Sequence, residues 1–382
     1  MADLKFLYLC YGVISWASNE QNCLFCECNR DSHDDEACIA MSWEKLKASS
    51  KKATVKAGRL GAKKGTNGEW VFKTSQKKNE FNKFVLKNYG VRGDGPLCDV
   101  VDMDFVFPET LHIQLSVMSS HLKFLKSYID SVDTVKNNMS ERFKDVIESI
   151  GLSDRVLRKL YKNKRPPLIG YSCLKFRESL VNVDSNRSHW QQFETIADLL
   201  FNGGSLDDII PYINEAPLSK FILENFKNDY IIFHFIKSLY GFCGIYEEIT
   251  SMHTSAAKID RLEEMCKMFH HSGKETVYST PRTETVYFHI VAKTLPRFVK
   301  RYYEISGQGY GGNSMQGAEH LNKTTKTIIK NRTNGRTDME NYCSIAANME
   351  IRDQRFIHLK KKGETKGEMQ SYVKKETLEI TI

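Results

Sequence analysis

Long apolar runs are missing from this chain of 382 residues. The one early hydrophobic stretch, Leu4 to Trp16, carries Lys5 near its start and has no small-residue cleavage site. It is too short for the roughly 20 apolar residues of a membrane-spanning helix, and it lacks the form of a secretory leader. Membrane insertion and secretion are therefore not expected, and a nuclear or cytoplasmic setting is. Internal repeats are absent too, which sets aside repeat architectures. No strong charge of one sign is present: 55 Lys and Arg against 47 Asp and Glu leave +8. The 10 cysteines are scattered rather than laddered. Without a leader, that usage reads as a reducing compartment with mostly free thiols.

What is present is ordinary in amount and uneven in placement. Hydrophobic residues make up 41% and charged residues 27%, a globular balance. A mass of 44.0 kDa is enough for one large or two ordinary cores. Between Glu44 and Lys87, thirteen Lys or Arg stand against three acids. An acid-free run from Lys323 to Arg336 follows much later, and a third basic stretch, Arg355 to Lys375, is interleaved with Glu. Such clusters suit phosphate contacts, which give affinity without sequence preference. A solvated surface is the plain alternative. The candidates for DNA contact are Lys51, Lys52, Lys63 and Lys64 in the first run, and Lys323, Lys326, Lys330 and Arg332 in the second.

Residues 4–14 read as a strand buried on both faces. Residues 37–47 have helical character around Trp43. Residues 48–95, rich in Lys, Gly, Ser and Asn with weak periodicity, read as a mobile basic insert closed by the turn Gly93 to Pro96. Helical periodicity then takes over. Leu111, Leu115, Met118, Leu122, Leu125 and Tyr128 form an apolar stripe, and Phe143, Val146, Ile147 and Ile150 repeat it. The pattern predicts further helices at 190–201, 205–214, 217–225, 229–250, 255–271, 284–303 and 315–331, with Pro166 and Pro167 breaking the array. The expected class is mostly α with a small α/β start.

Three groups of residues carry candidate chemistry. Cys23 and Cys26 have the spacing of half a zinc site, since two thiolates on one tight turn can chelate a tetrahedral ion. Cys28 and His33 lie near enough to add a local ligand. His289 sits on an amphipathic helix, where an imidazole is either a ligand or simply part of the core. Glu319, Asn322 and Lys323 share a helical face at i, i+3 and i+4, able to hold a divalent cation beside a phosphate or to form an ordinary surface pair. Asp3 stands at the head of the first strand, and Asp99, Asp102 and Asp104 cluster before Phe105. The latter three suit a capping role or a cation.

Four of these segments, taken in order, resemble the transposase family related to the catalytic core of the larger subunit of the V(D)J recombinase. They are Asp3–Leu7 with the Cys23/Cys26 knuckle, Phe107–His112, Val286–His289 and Gln316–Lys323. The resemblance implies an RNase H-like sheet holding three carboxylates around magnesium, interrupted by a zinc-binding helical insertion. It makes Glu319 the last catalytic carboxylate, Asp3 an earlier one, and Cys23, Cys26 and His289 zinc ligands. The implied division is a remnant strand (1–22), knuckle (23–47), basic insert (48–95), helical insertion (96–310), helix with the last acid (311–350) and charged tail (351–382). The family's second zinc histidine, five positions after the first, is Thr294 here, and its first carboxylate would precede residue 1. The expectation is a transposase-derived protein, without strand transfer as it stands, that retains DNA binding and pairs as a homodimer. The alternatives are an active magnesium-dependent transposase with a longer N-terminus, and a zinc-stabilised helical interaction protein.

Overall fold

The computed structural model describes residues 23–26, 39–65, 69–93, 106–133, 138–162, 164–168, 170–183, 189–280 and 283–313. The expected strand 4–14, the acids Asp3, Asp99, Asp102 and Asp104, and everything from the expected helix 315–331 onward lie outside these residues.

The Lys-rich stretch differs from the mobile insert expected for it. Helix α1 (Trp43–Arg59) leads through a hairpin, β1 (Lys63–Lys64) and β2 (Trp70–Val71), into helix α2 (Ser75–Lys87). The strands are antiparallel, with Lys63 opposite Val71 and Lys64 opposite Trp70. Each helix starts on a hydroxyl cap: Ser42 accepts from Lys45 N at 3.2 Å and Thr74 from Lys77 N at 3.4 Å. Ala53, Ala57, Leu60, Phe81 and Val85 form a small core of their own. Two of the five are alanines, which let the helices approach closely while contributing little to a hydrophobic pattern. Surrounding lysines dilute that pattern further, which is why the periodicity looked weak. The expected boundary between 47 and 48 falls inside α1.

A helical body follows: α3 (Thr110–Val132), α4 (Met139–Ser149), α5 (Asp154–Leu160), α6 (Gly170–Glu178), α7 (His189–Phe201), α8 (Leu206–Ile213), α9 (Pro217–Phe226), α10 (Tyr230–Thr250) and α11 (Ala256–Glu275). Helix α10 is apolar around most of its circumference, and such a helix must be enclosed. It packs against α11, α7 and α3. The approach to α7 is closest at Gly244, where a β-carbon would meet Ala197 Cβ at 2.5 Å. Helix α3 begins on Glu109, whose carboxylate accepts from Leu111 N and His112 N, both at 2.7 Å. That cap accounts for a buried acid in the Phe107–His112 segment without invoking chemistry.

The expected single helix 284–303 is instead three pieces. Val286–His289 (α12) passes into a π-helical turn, Ile290–Thr294, and then into α13 (Leu295–Ser306). Pro296 supplies the reason. In an unbroken α-helix its ring would press on the Ala292 carbonyl and its missing N–H would leave that oxygen unpaired. The wider turn intervenes just before it, and Leu295 N–H reaches back five residues to Ile290 O. The described chain ends in a 3-10 turn, Tyr310–Asn313. The buried Tyr310 donates its hydroxyl to Pro108 O at 2.8 Å, and Gly311 lies against the Thr250 carbonyl with no room for a side chain.

The described residues are therefore mostly helical, and the β1–β2 hairpin is their only sheet. No helix among them is long and apolar enough to cross a membrane.

Candidate metal centre

Residues 23–26 form a tight turn whose two central side chains, Leu24 and Phe25, are both buried. Phe25 packs edge-on against Phe298 of α13, ring centroids 5.0 Å apart. Its carbonyl accepts from Met41 N at 3.1 Å and from the Arg297 guanidinium at 2.8 Å. Cys26 pairs with Ala40 in an isolated antiparallel bridge. The turn is thus pinned by backbone, ring and guanidinium. Both sulfurs face inward, with Phe25 N–H donating to Cys23 Sγ at 3.4 Å.

His289, the last residue of α12, comes to this turn from 263 positions away. Its Nε2 lies 3.1 Å from Cys26 Sγ. One donor atom from each of Cys23, Cys26 and His289 lies within 4.8 Å of the others, and all three residues are buried. Burial on its own would raise the Cys23 thiol. A hydrogen bond with Cys26, the charge and hydrogen bond of His289, and the Phe25 N–H together hold it well below its ordinary value. A thiolate is the metal-binding form of cysteine. Two sulfurs and an imidazole at this spacing suit a tetrahedral zinc ion, with Zn–S near 2.3 Å and Zn–N near 2.0–2.1 Å. All three donor residues are buried, which suits a centre that holds structure together rather than one that opens a position to substrate.

Among the described residues three donors converge. Cys28 and His33, the local candidates for a fourth, lie outside them. Thr294 is buried one π-turn beyond His289 and donates its hydroxyl to Ile290 O at 3.0 Å. Five-residue spacing brings positions 289 and 294 toward the same side of a π-helix, whereas at the 3.6 residues per turn of an α-helix it would leave them about 140° apart around the axis.

Of the expected DNA-contact residues, Lys51 and Lys52 are exposed on α1, and Lys63 and Lys64 are exposed on the hairpin. Lys64 lies over the Trp70 ring, 5.3 Å from its centroid. Glu319, Lys323, Lys326, Lys330 and Arg332 lie outside the described residues, as does Asp3. Two clefts accompany these features. One, about 270 Å³ between α7, α10 and α11, is lined by charges that satisfy each other. Lys258 meets Glu248 at 3.4 Å and Glu194 at 3.7 Å, and Arg261 pairs with Asp198. The other adjoins the metal centre and brings in Arg297, Lys300 and Arg301. Sequence reading passed over these three, although their i, i+3, i+4 spacing directly after the His289 segment was there to be seen.

No known protein family, curated protein or solved structure matches this chain.

Proposed function

We propose that this chain is a DNA-binding protein of transposase descent. In this reading a structural zinc ion, held by Cys23, Cys26 and His289, staples an N-terminal knuckle to the helical body. The supporting observation is the meeting of two thiols with one imidazole across 263 positions, the combination that the transposase resemblance calls for. Zinc would supply tetrahedral cross-linking there and no reaction step. DNA contact falls to the folded helix–hairpin–helix, which turns Lys51, Lys52, Lys63 and Lys64 outward. In this reading the chain binds DNA without carrying out strand transfer.

Two measurements test it. Elemental analysis of the purified chain should give about one zinc per molecule, as a structural site of this ligand type holds, and Cys23→Ser should lose it. Binding to duplex DNA should weaken steeply with salt, by roughly 0.9 decade per decade of salt for each phosphate neutralised. Lys51→Glu combined with Lys52→Glu should reduce both affinity and slope. A protein that carries zinc but ignores DNA at low salt fits the second reading, a zinc-stabilised helical interaction protein, which full burial of the three donors favours equally.

A further inference from the structure

Residues 155–165, from α5 into the turn after it, hold Arg155, Arg158, Lys159, Lys162, Lys164 and Arg165 and no acid. All six cations are exposed, and every other described residue of the stretch is buried or half-buried. Asn163, outside the described residues, adds no charge. Val156 and Leu160, four positions apart, bury one side of α5. Positions 155, 158, 159 and 162 share the i, i+3, i+4, i+7 spacing of a helical stripe, about 10 Å long at 1.5 Å per residue.

The nearest ion pairs on either side in the sequence are Lys144 with Glu141 at 3.7 Å and Lys175 with Glu178 at 2.8 Å. None of the six cations between them forms an ion pair with a described residue. Arg158 donates its Nε–H to Asp154 O at 3.3 Å, and Arg165 donates to Ser116 O and Oγ at 2.5 and 2.6 Å. These neutral acceptors hold the two guanidinium groups without cancelling their charge. Arg158 and Lys159 also suit the last turn of α5, where the helix dipole favours cations. That accounts for two of the six. Burial, and then Glu148, Glu141 and Asp145 of α4, push the Tyr161 hydroxyl up to about 12, so these acids stand near the end of α5. Even with them and Asp154 counted, residues 139–165 hold eight cations against four acids, and the excess stays positive.

We infer that this face of α5 and the turn after it bind the phosphodiester backbone of duplex DNA. This rests on the functional reading above and adds to it a second contact surface, on the helical body. An acidic protein is the competing partner, and the make-up of the face favours DNA. Protein interfaces are anchored by aromatic and other apolar side chains and are depleted of Lys. Here Leu157 and Tyr161 are half-buried, Leu157 packs against the core, and every exposed side chain is Lys or Arg. DNA interfaces are much more cationic, and a duplex carries one charge per roughly 1.7 Å of axis, several along the length of the stripe.

The test is anisotropy of a labelled duplex oligonucleotide with the full chain across a range of salt. It compares the unchanged protein, Lys159→Gln with Lys162→Gln, Lys159→Arg with Lys162→Arg, and Lys51→Glu with Lys52→Glu. The Gln pair should keep its unfolding midpoint, bind several-fold more weakly and lose about two units of salt slope. It should do so equally on duplexes of unrelated sequence, because phosphate contacts carry no sequence information. The Arg pair should match the unchanged protein. If the Lys51 and Lys52 pair weakens binding and the Gln pair does not, the α5 surface is overturned while the functional reading stands. Weaker binding with an unaltered salt slope, or an Arg pair as weak as the Gln pair, also overturns it, since charge on the face would not then be what meets the duplex. If the unchanged protein fails to bind duplex at low salt, the functional reading falls and the surface with it. Tighter binding of polyglutamate that depends on Lys159 and Lys162 would replace DNA with an acidic protein.

Discussion

His121 shows how one side chain's charge is set by its surroundings. Its ring is fully buried beside Phe235, Phe269 and Tyr278. Nδ1 lies 2.9 Å from Val117 O, which can only accept, so that nitrogen carries the proton; Nε2 then accepts from Ser238 Oγ at 2.9 Å. Removal from water pushes the pKa down to about 4, the Val117 carbonyl opposing this only in part. A group that resists protonation in the fold gives stability that is complete above its unfolded pKa near 6.5 and is lost as pH falls toward 4. At about 1.4 kcal/mol per unit, the loss is on the order of 3 kcal/mol. Urea unfolding should therefore find His121→Gln less stable than the unchanged chain at pH 7, with the gap narrowing by about that amount near pH 4. A gap that stays constant with pH would mean the imidazole is not held neutral. The sequence did not single out this residue, because nothing local separates a buried histidine from an exposed one on the same helix. Cys23 and Cys26 were legible because their spacing is itself chelate geometry, and His289 because it lay in a segment with a resemblance.

Among the elements, the long helices were read from apolar spacing, and α10 and α11 lie where the pattern put them. The hairpin unit and the π-turn were not. The former is built on alanines that carry little hydrophobic signal, and the latter depends on Pro296 acting one turn upstream of itself. Close packing is likewise invisible in a string of letters. Gly244 lets α10 approach α7 until a β-carbon would stand 2.5 Å from Ala197 Cβ. Gly244→Ala gains helix propensity of up to about 1 kcal/mol but forces the two helices apart, at a typical overpacking cost of about 1–3 kcal/mol. The net outcome should be a lower unfolding midpoint with unchanged helical circular dichroism. A rise in the midpoint would show that the crossing has slack.

At the scale of the whole molecule, the proposed zinc staple closes a very long loop. Its Cys26–His289 contact joins residues 263 positions apart. A covalent cross-link over such a span would restrict the unfolded chain by about 5 kcal/mol in the chain-entropy account. A metal link that opens on unfolding instead stabilises by mass action. Chelator should therefore lower the unfolding free energy by several kcal/mol, and Cys23→Ser should lower it similarly while becoming indifferent to chelator. Equal stability with and without chelator would show that the fold does not depend on the ion. Charge at this scale was legible only as composition, since thirteen cations against three acids between Glu44 and Lys87 did not reveal a folded platform.

The distance along the chain between knuckle and imidazole also imposes an order on biosynthesis. Ribosomes add about 5–20 residues per second, so 263 positions correspond to roughly 13–50 s of translation at that rate. For that interval the nascent thiols exist while the histidine that completes their cluster has not been made. Under the proposed zinc staple, oxidants and competing metals have that time to reach the thiols, and the supply of zinc during synthesis becomes part of the protein's maturation.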